Sequence, residues 1–207
     1  MKRVVLALVA LLAVSSVAAQ DIRYGLVGGL NLAWEKEKSD LGSFTSDSYV
    51  GFQLGIRAEM DLSKAIADGF FVDGKLLYSL KGGYGSNTHV NLGYLELPFN
   101  FGYRLPVSKA ASLTAGIGPY FALGILGKDV TKVDGVKIKA GDIFGATHQR
   151  FDFGLNYNLG VELWRQCHFF IGFEHSVINV YKSDISSQIG DGKLRLHNLY
   201  IGTALMF

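Results

Sequence analysis

The strongest constraint in this chain is a period of two that recurs eight times, with one face of every repeat free of Asp, Glu, Lys and Arg. In the first repeat Ile22, Tyr24, Leu26, Gly28, Leu30, Leu32 and Trp34 share a face, and Arg23, Gly25, Val27, Gly29, Asn31 and Ala33 share the other. The last sets Leu199, Ile201, Thr203, Leu205 and Phe207 against Asn198, Tyr200, Gly202, Ala204 and Met206. Six repeats between them, starting near Val50, Phe70, Leu95, Leu113, Phe151 and Phe169, follow the same rule. Alternation at this spacing specifies strands, so the expected class is all-β.

Two all-β folds can use such strands. A soluble barrel would turn the apolar face inward, around a small apolar ligand. A transmembrane barrel turns it to lipid and fills its lumen with the polar face. The polar face here is rich in glycine and poor in the Lys and Glu of a wet surface, which suits a crowded eight-strand lumen. The apolar face carries more Phe and Tyr than a narrow interior accepts. Joins after even-numbered strands are short (63–68, 106–112, 164–168), and those after odd-numbered strands are mostly longer (35–48, 81–89, 127–150, 178–193). This asymmetry predicts an eight-stranded antiparallel up-and-down transmembrane β-barrel, with both termini at the periplasmic end and the long loops outside.

The first residues stand apart. Lys2 and Arg3 precede an 11-residue apolar run, Val4–Val14, and then Val17-Ala18-Ala19. The run is too short to span a bilayer, and the small residues at 17 and 19 suit cleavage before Gln20, so residues 1–19 are expected to be a secretory signal peptide. The remaining 207 − 19 = 188 residues carry 18 basic and 18 acidic side chains. With no net charge there is no global basic field for nucleic acid. One cysteine, Cys167, excludes an internal disulfide and a cysteine-rich zinc site; it falls in a periplasmic turn as a free thiol. No cofactor or metal is expected.

The run Tyr94-Leu95-Glu96-Leu97-Pro98-Phe99-Asn100-Phe101 resembles the "YLELP" strand of the Bacteroidetes-type outer-membrane β-barrel domain, which includes porin-family and PorT-like proteins. Gly118-Pro119-Tyr120 with Gly124, and Phe151–Asn156 with Gly160 and Glu162, resemble its fifth and sixth strands. The resemblance covers roughly residues 20–207. It implies an eight-strand outer-membrane barrel in a Gram-negative envelope and no catalytic residues; one branch of that family serves a secretion apparatus.

Nine charges fall on the inward face: Arg57, Glu59, Asp73, Lys75, Glu96, Arg104, Asp152, Glu162 and Glu174. Unpaired buried charge is costly, so these are expected to pair into a lumen plug rather than line an ion or proton path. Glu174-His175-Ser176 invites a hydrolase reading, but adjacent strand residues point to opposite faces, so His175 and Ser176 diverge. His89, His148, His168 and His197 show no ligand spacing. Gly82-Gly83-Tyr84-Gly85 lacks the lysine and following helix of a phosphate loop and reads as a loop. Asp134-Gly135 predicts a hairpin over 130–139, and Lys128, Lys132, Lys137 and Lys139 give it a basic edge for lipopolysaccharide or an acidic partner. The acidic first loop, 35–48, offers a complement to that edge. Pro119 predicts a bulge or kink. The alternation slips between Tyr94 and Leu95 and near His197, which predicts bulges there as well.

Together these features predict a monomeric, non-enzymatic barrel acting through its extracellular loops on outer-membrane lipid, lipopolysaccharide or an envelope protein. The alternatives are a narrow channel or secretion-apparatus component, and the soluble ligand-binding barrel.

Overall fold

The computed structural model describes residues 22–40, 42–85, 88–133, 136–188 and 192–207; the expected signal segment, 1–19, lies outside them. Eight long strands form the wall: β1 (Ile22–Ser39), β3 (Asp47–Asp61), β4 (Phe70–Tyr84), β5 (Thr88–Pro106), β6 (Ala111–Val133), β8 (Phe151–Leu163), β9 (Cys167–Ser176) and β10 (Lys193–Met206). Each pairs antiparallel with its sequence neighbours, and β10 pairs back onto β1 from Gly25↔Met206 to Lys38↔Lys193, which closes the barrel. Two short strands stand above the wall, β2 (Gly42–Thr45) on β1 and β7 (Val136–Asp142) on β6. Two short helices, α1 (Ile143–Ala146) and α2 (Ser183–Gln188), lie in the last two long connections. Among the described residues no helix is long and apolar enough to cross a membrane.

The wall faces out with its apolar side: Tyr24 is 61% exposed and Leu159 63%, whereas Arg57 and Glu59 are 2% and 1% exposed inside. That polarity overturns the soluble-barrel alternative, since the interior is charged. On β1 the apolar face runs from Tyr24 to Trp34, ten residue steps. At about 3.3 Å per residue and a tilt of about 40°, it makes a band about 25 Å tall, the height of a bilayer core.

Inward glycines are set by their neighbours. A Cβ on Gly172 would lie 2.1 Å from the Tyr200 ring, and one on Gly102 would lie 2.4 Å from that of Phe71. In so narrow a lumen a ring on one strand fits only against a bare backbone on the next.

Four local expectations need correction. Pro119 makes no bulge: it stays in register opposite Leu155, and Pro98↔Tyr120 and Phe101↔Ile117 share one register on its other side. Proline removes a donor there without adding a residue. The supposed slip at Tyr94 is a change of chemistry, because Leu92, Tyr94 and Glu96 all point inward in unbroken alternation. The true irregularity sits opposite, where Gly93↔Leu126 is followed by Tyr94↔Gly124 and Ile125 is the extra residue. Near His197 the alternation is likewise unbroken, with Leu194, Leu196 and Asn198 inward. The glycine run at 82–85 is mostly strand: β4 continues to Tyr84, which pairs with His89. Paired backbone amides hold these residues extended despite their turn-like composition.

Candidate functional site

The lumen is built in storeys. At the short-turn end β3, β4, β5 and β8 each contribute charges. Glu59 accepts from three guanidinium groups: Arg23 Nη2 and Arg104 Nη2 at 2.5 Å, and Arg57 Nη2 at 2.9 Å. Arg57 also reaches Asp73 at 3.1 Å, and Lys75 Nζ lies 3.7 Å from the other Asp73 oxygen. Glu162 is held by Arg104 Nε and Arg23 Nη2, both at 2.9 Å. Across β3 and β4 the register places Arg57 opposite Lys75 and Glu59 opposite Asp73. Like thus faces like within each row, and opposite charge lies one row away. Removing one member would strand its partners in low dielectric, which makes such a cluster cooperative. His168 joins it, with Nε2 2.7 Å from Thr114 Oγ1 and Nδ1 beside Arg57.

The middle storey centres on Lys81, whose Nζ lies 2.5 Å from Glu96 and 2.6 Å from Glu174 and sits over the Tyr120 ring. Asn198 donates to Glu174 at 3.0 Å. Asp152 accepts from Tyr120 Oη at 2.8 Å and from Ser176 Oγ.

Above this the lining turns apolar. Leu92, Tyr94 and Tyr120 meet Leu194 and Leu196 across the mouth, and Ile143, Phe144 and Val180 come down onto them from the loops. These residues form a lid. Its upper side is sewn together by an isolated bridge between His148 and Tyr181, Gln149 N–H to Val180 O at 2.7 Å and Lys182 N–H to Thr147 O at 2.9 Å. Glu35 Oε1 stands 3.5 Å from His148 Nε2, and Tyr181 Oη donates to Glu37 at 3.1 Å. Burial and the Glu37 carboxylate both push the Tyr181 phenol up. Glu35 and Glu37 of the first loop therefore turn into the mouth.

All nine inward charges named from the sequence lie within the lumen, in two groups: Arg57, Glu59, Asp73, Lys75, Arg104 and Glu162 below, and Glu96, Asp152 and Glu174 above. Two central members escaped sequence reasoning. Arg23 was on the polar face but not among the candidates. Lys81 opens the 81–89 join; continuing the alternation past Leu80 places it inward.

His175 and Ser176 do diverge. Ser176 is buried beside Asp152, while His175 faces outward, its Nδ1 3.2 Å from that of His197. Cys167 is the first residue of β9 and has a free thiol. Of the four hairpin lysines, Lys128 is exposed on β6. Lys132 pairs in backbone register with Lys137, and Lys139 with Val130, so β6 and β7 do form a hairpin; its turn, Asp134-Gly135, lies outside the described residues.

A family model described as "outer membrane protein beta-barrel domain" matches residues 4–207. No curated protein matches the chain. Among solved structures it is similar to the attachment invasion locus protein Ail of Yersinia pestis, at 16% identity over 89% of this chain and 98% of that one, with a TM-score of 0.44. It is similar to OprG of Pseudomonas aeruginosa, at 13% identity over 91% and 97%, with a TM-score of 0.47. It is also similar to the outer membrane enzyme PagL, at 11% identity over 88% and 98%, with a TM-score of 0.40.

Proposed function

We propose, from the premise that this chain belongs to the outer membrane protein β-barrel domain family, that it is a closed, non-enzymatic barrel of the outer membrane acting through its extracellular segments. The observation that carries this reading is the double obstruction of the lumen, an ionic floor below and an apolar lid above. Charges engaged with one another are poor stepping stones for an ion, because each site is already occupied. The divergence of His175 and Ser176 supports a role without hydrolysis. Closure of the sheet by β1 and β10 leaves no wall edge to recruit another chain, which supports a monomeric barrel.

The part built for contact is the hairpin of β6 and β7, which rises beyond the wall with Lys132, Lys137 and Lys139 along it. Residues 1–19 serve as the export signal, with the mature chain starting at Gln20. The Bacteroidetes-type, PorT-like assignment is supported by the Tyr94–Phe101 run, whose Glu96 holds Lys81.

The test is photo-crosslinking in the native envelope with a probe at Lys137. A discrete adduct with an envelope protein or lipopolysaccharide is expected. An uncrosslinked chain, with the probe shown to be reactive, would overturn the hairpin as the contact surface.

A further inference from the structure

The outer wall carries a cation cluster that the lumen network does not touch. The β1–β10 register places Lys36 opposite Arg195 and Lys38 opposite Lys193, all four exposed on the outward face. Like charges directly opposed across a ladder destabilise it. Among the described residues no ion pair engages them: the positions beside Lys36 and Lys38 on the other flank are Thr45 and Ser43, and Asp191 lies outside the described residues. Among the described residues the salt bridges engage Arg23, Arg57, Lys75, Lys81, Arg104, His148, Arg150 and Arg165 instead.

Directly below is an aromatic floor. Trp34 stacks on His197 at 5.6 Å between centroids, Phe173 stacks on His197 at 6.0 Å, and His175 lies 4.8 Å from His197. Amphipathic rings at the end of an apolar band mark the headgroup level. The cations stand one and two inward–outward repeats above it. With His175 and His197 they line a cavity of about 310 Å³.

We propose that Lys36, Lys38, Lys193 and Arg195 bind the phosphoryl group of an outer-leaflet lipid against the outside of the barrel. A phosphomonoester supplies up to two negative charges and several acceptor oxygens, matching four cations in one cavity that no described acid pairs. A free phosphate has the same chemistry. The lipid source is favoured because the aromatic floor continues without a break into the lipid-facing wall, where acyl chains would lie. The proposal rests on the membrane placement of the barrel and adds to it a ligand and a site away from the hairpin.

The full chain, folded in detergent, is titrated with diphosphoryl lipid A, with the same lipid stripped of its phosphates, and with inorganic phosphate. Lys36→Gln, Lys38→Gln, Lys193→Gln and Arg195→Gln are combined in one variant, and Lys64→Gln with Lys109→Gln, at the periplasmic end, serves as control. The diphosphoryl lipid should bind the parent and the control alike, and the rim variant at least about tenfold more weakly. Stripped lipid should bind the parent as weakly as the rim variant binds diphosphoryl lipid. Lys36→Glu with Lys193→Glu turns both like-charge rows into ion pairs; it should fold at least as stably, shown by heat-modifiable migration, and still lose binding. Equal binding by the rim variant, or by stripped lipid, would overturn the site. Inorganic phosphate binding as tightly as the lipid would overturn the lipid assignment. Loss of heat-modifiable migration in the parent would instead overturn the barrel's membrane placement.

Discussion

Besides Lys132 and Lys137 on the hairpin, two places among the described residues of the barrel wall set like charges directly opposite each other across neighbouring strands, and they are resolved in different ways. In the lumen, Arg57 faces Lys75 and Glu59 faces Asp73, but the two rows are adjacent, so Arg57 reaches both Glu59 and Asp73. On the outer rim, Lys36 faces Arg195 and Lys38 faces Lys193, and both rows are positive. The same ladder geometry thus yields a self-satisfied network in one place and an unsatisfied one in the other. A neutralised cluster belongs to the fold. A cluster that no described residue neutralises calls, under the proposed lipid site, for an anion from outside the chain.

The contrast can be broken most severely at Glu59. Glu59→Leu leaves Arg23, Arg57 and Arg104 without their common acceptor in a buried site. It should cost about 3–5 kcal/mol in a urea titration followed by gel mobility. A loss below about 1 kcal/mol, the usual worth of an exposed pair, would mean that the lumen charges are solvated like those on the rim.

Next in size is the lid. Phe144→Ala removes a buried ring that packs on Tyr94 at 5.5 Å between centroids. A core deletion of this kind costs about 3–5 kcal/mol where it is fully felt. Here the loss should appear as faster hydrogen exchange in residues 143–148 and 177–182, with the urea midpoint of the wall nearly unchanged, because the lid is separate from the ladder. A matching fall in the wall midpoint would make lid and wall one cooperative unit.

The smallest effect belongs to the rim. Lys38→Gln relieves one repulsive row and should raise stability by about 0.2–1 kcal/mol at low salt. The gain should vanish at high salt, since exposed charges are screened and buried ones are not. Salt should leave the Glu59→Leu penalty in place.

The sequence reveals which way each side chain points better than where each strand stops. Alternation alone places Arg57, Glu59, Asp73, Lys75, Glu96, Arg104, Asp152, Glu162 and Glu174 inside, because period two ties facing to position. It does not reveal how far the strands rise past the membrane. Lys36, Lys38, Lys81 and Lys193 all fell in segments that read as loops, since leaving the bilayer ends the apolar face and removes the signal that identifies a strand. The lid was hidden for the opposite reason. At Leu92, Tyr94, Leu194 and Leu196 the inward face turns apolar, and this inversion imitates a slip in register. Only the descent of Ile143, Phe144 and Val180 from distant loops explains it, and such long-range packing leaves no local pattern.

The most direct test of a lumen closed by an ionic floor and an apolar lid is planar-bilayer recording of the folded, heat-modifiable protein. A flat baseline is predicted, with Phe144→Ala also silent because the Glu59 cluster still blocks the periplasmic half. Discrete openings from the unsubstituted protein would contradict the closed lumen and make the paired charges the lining of a channel.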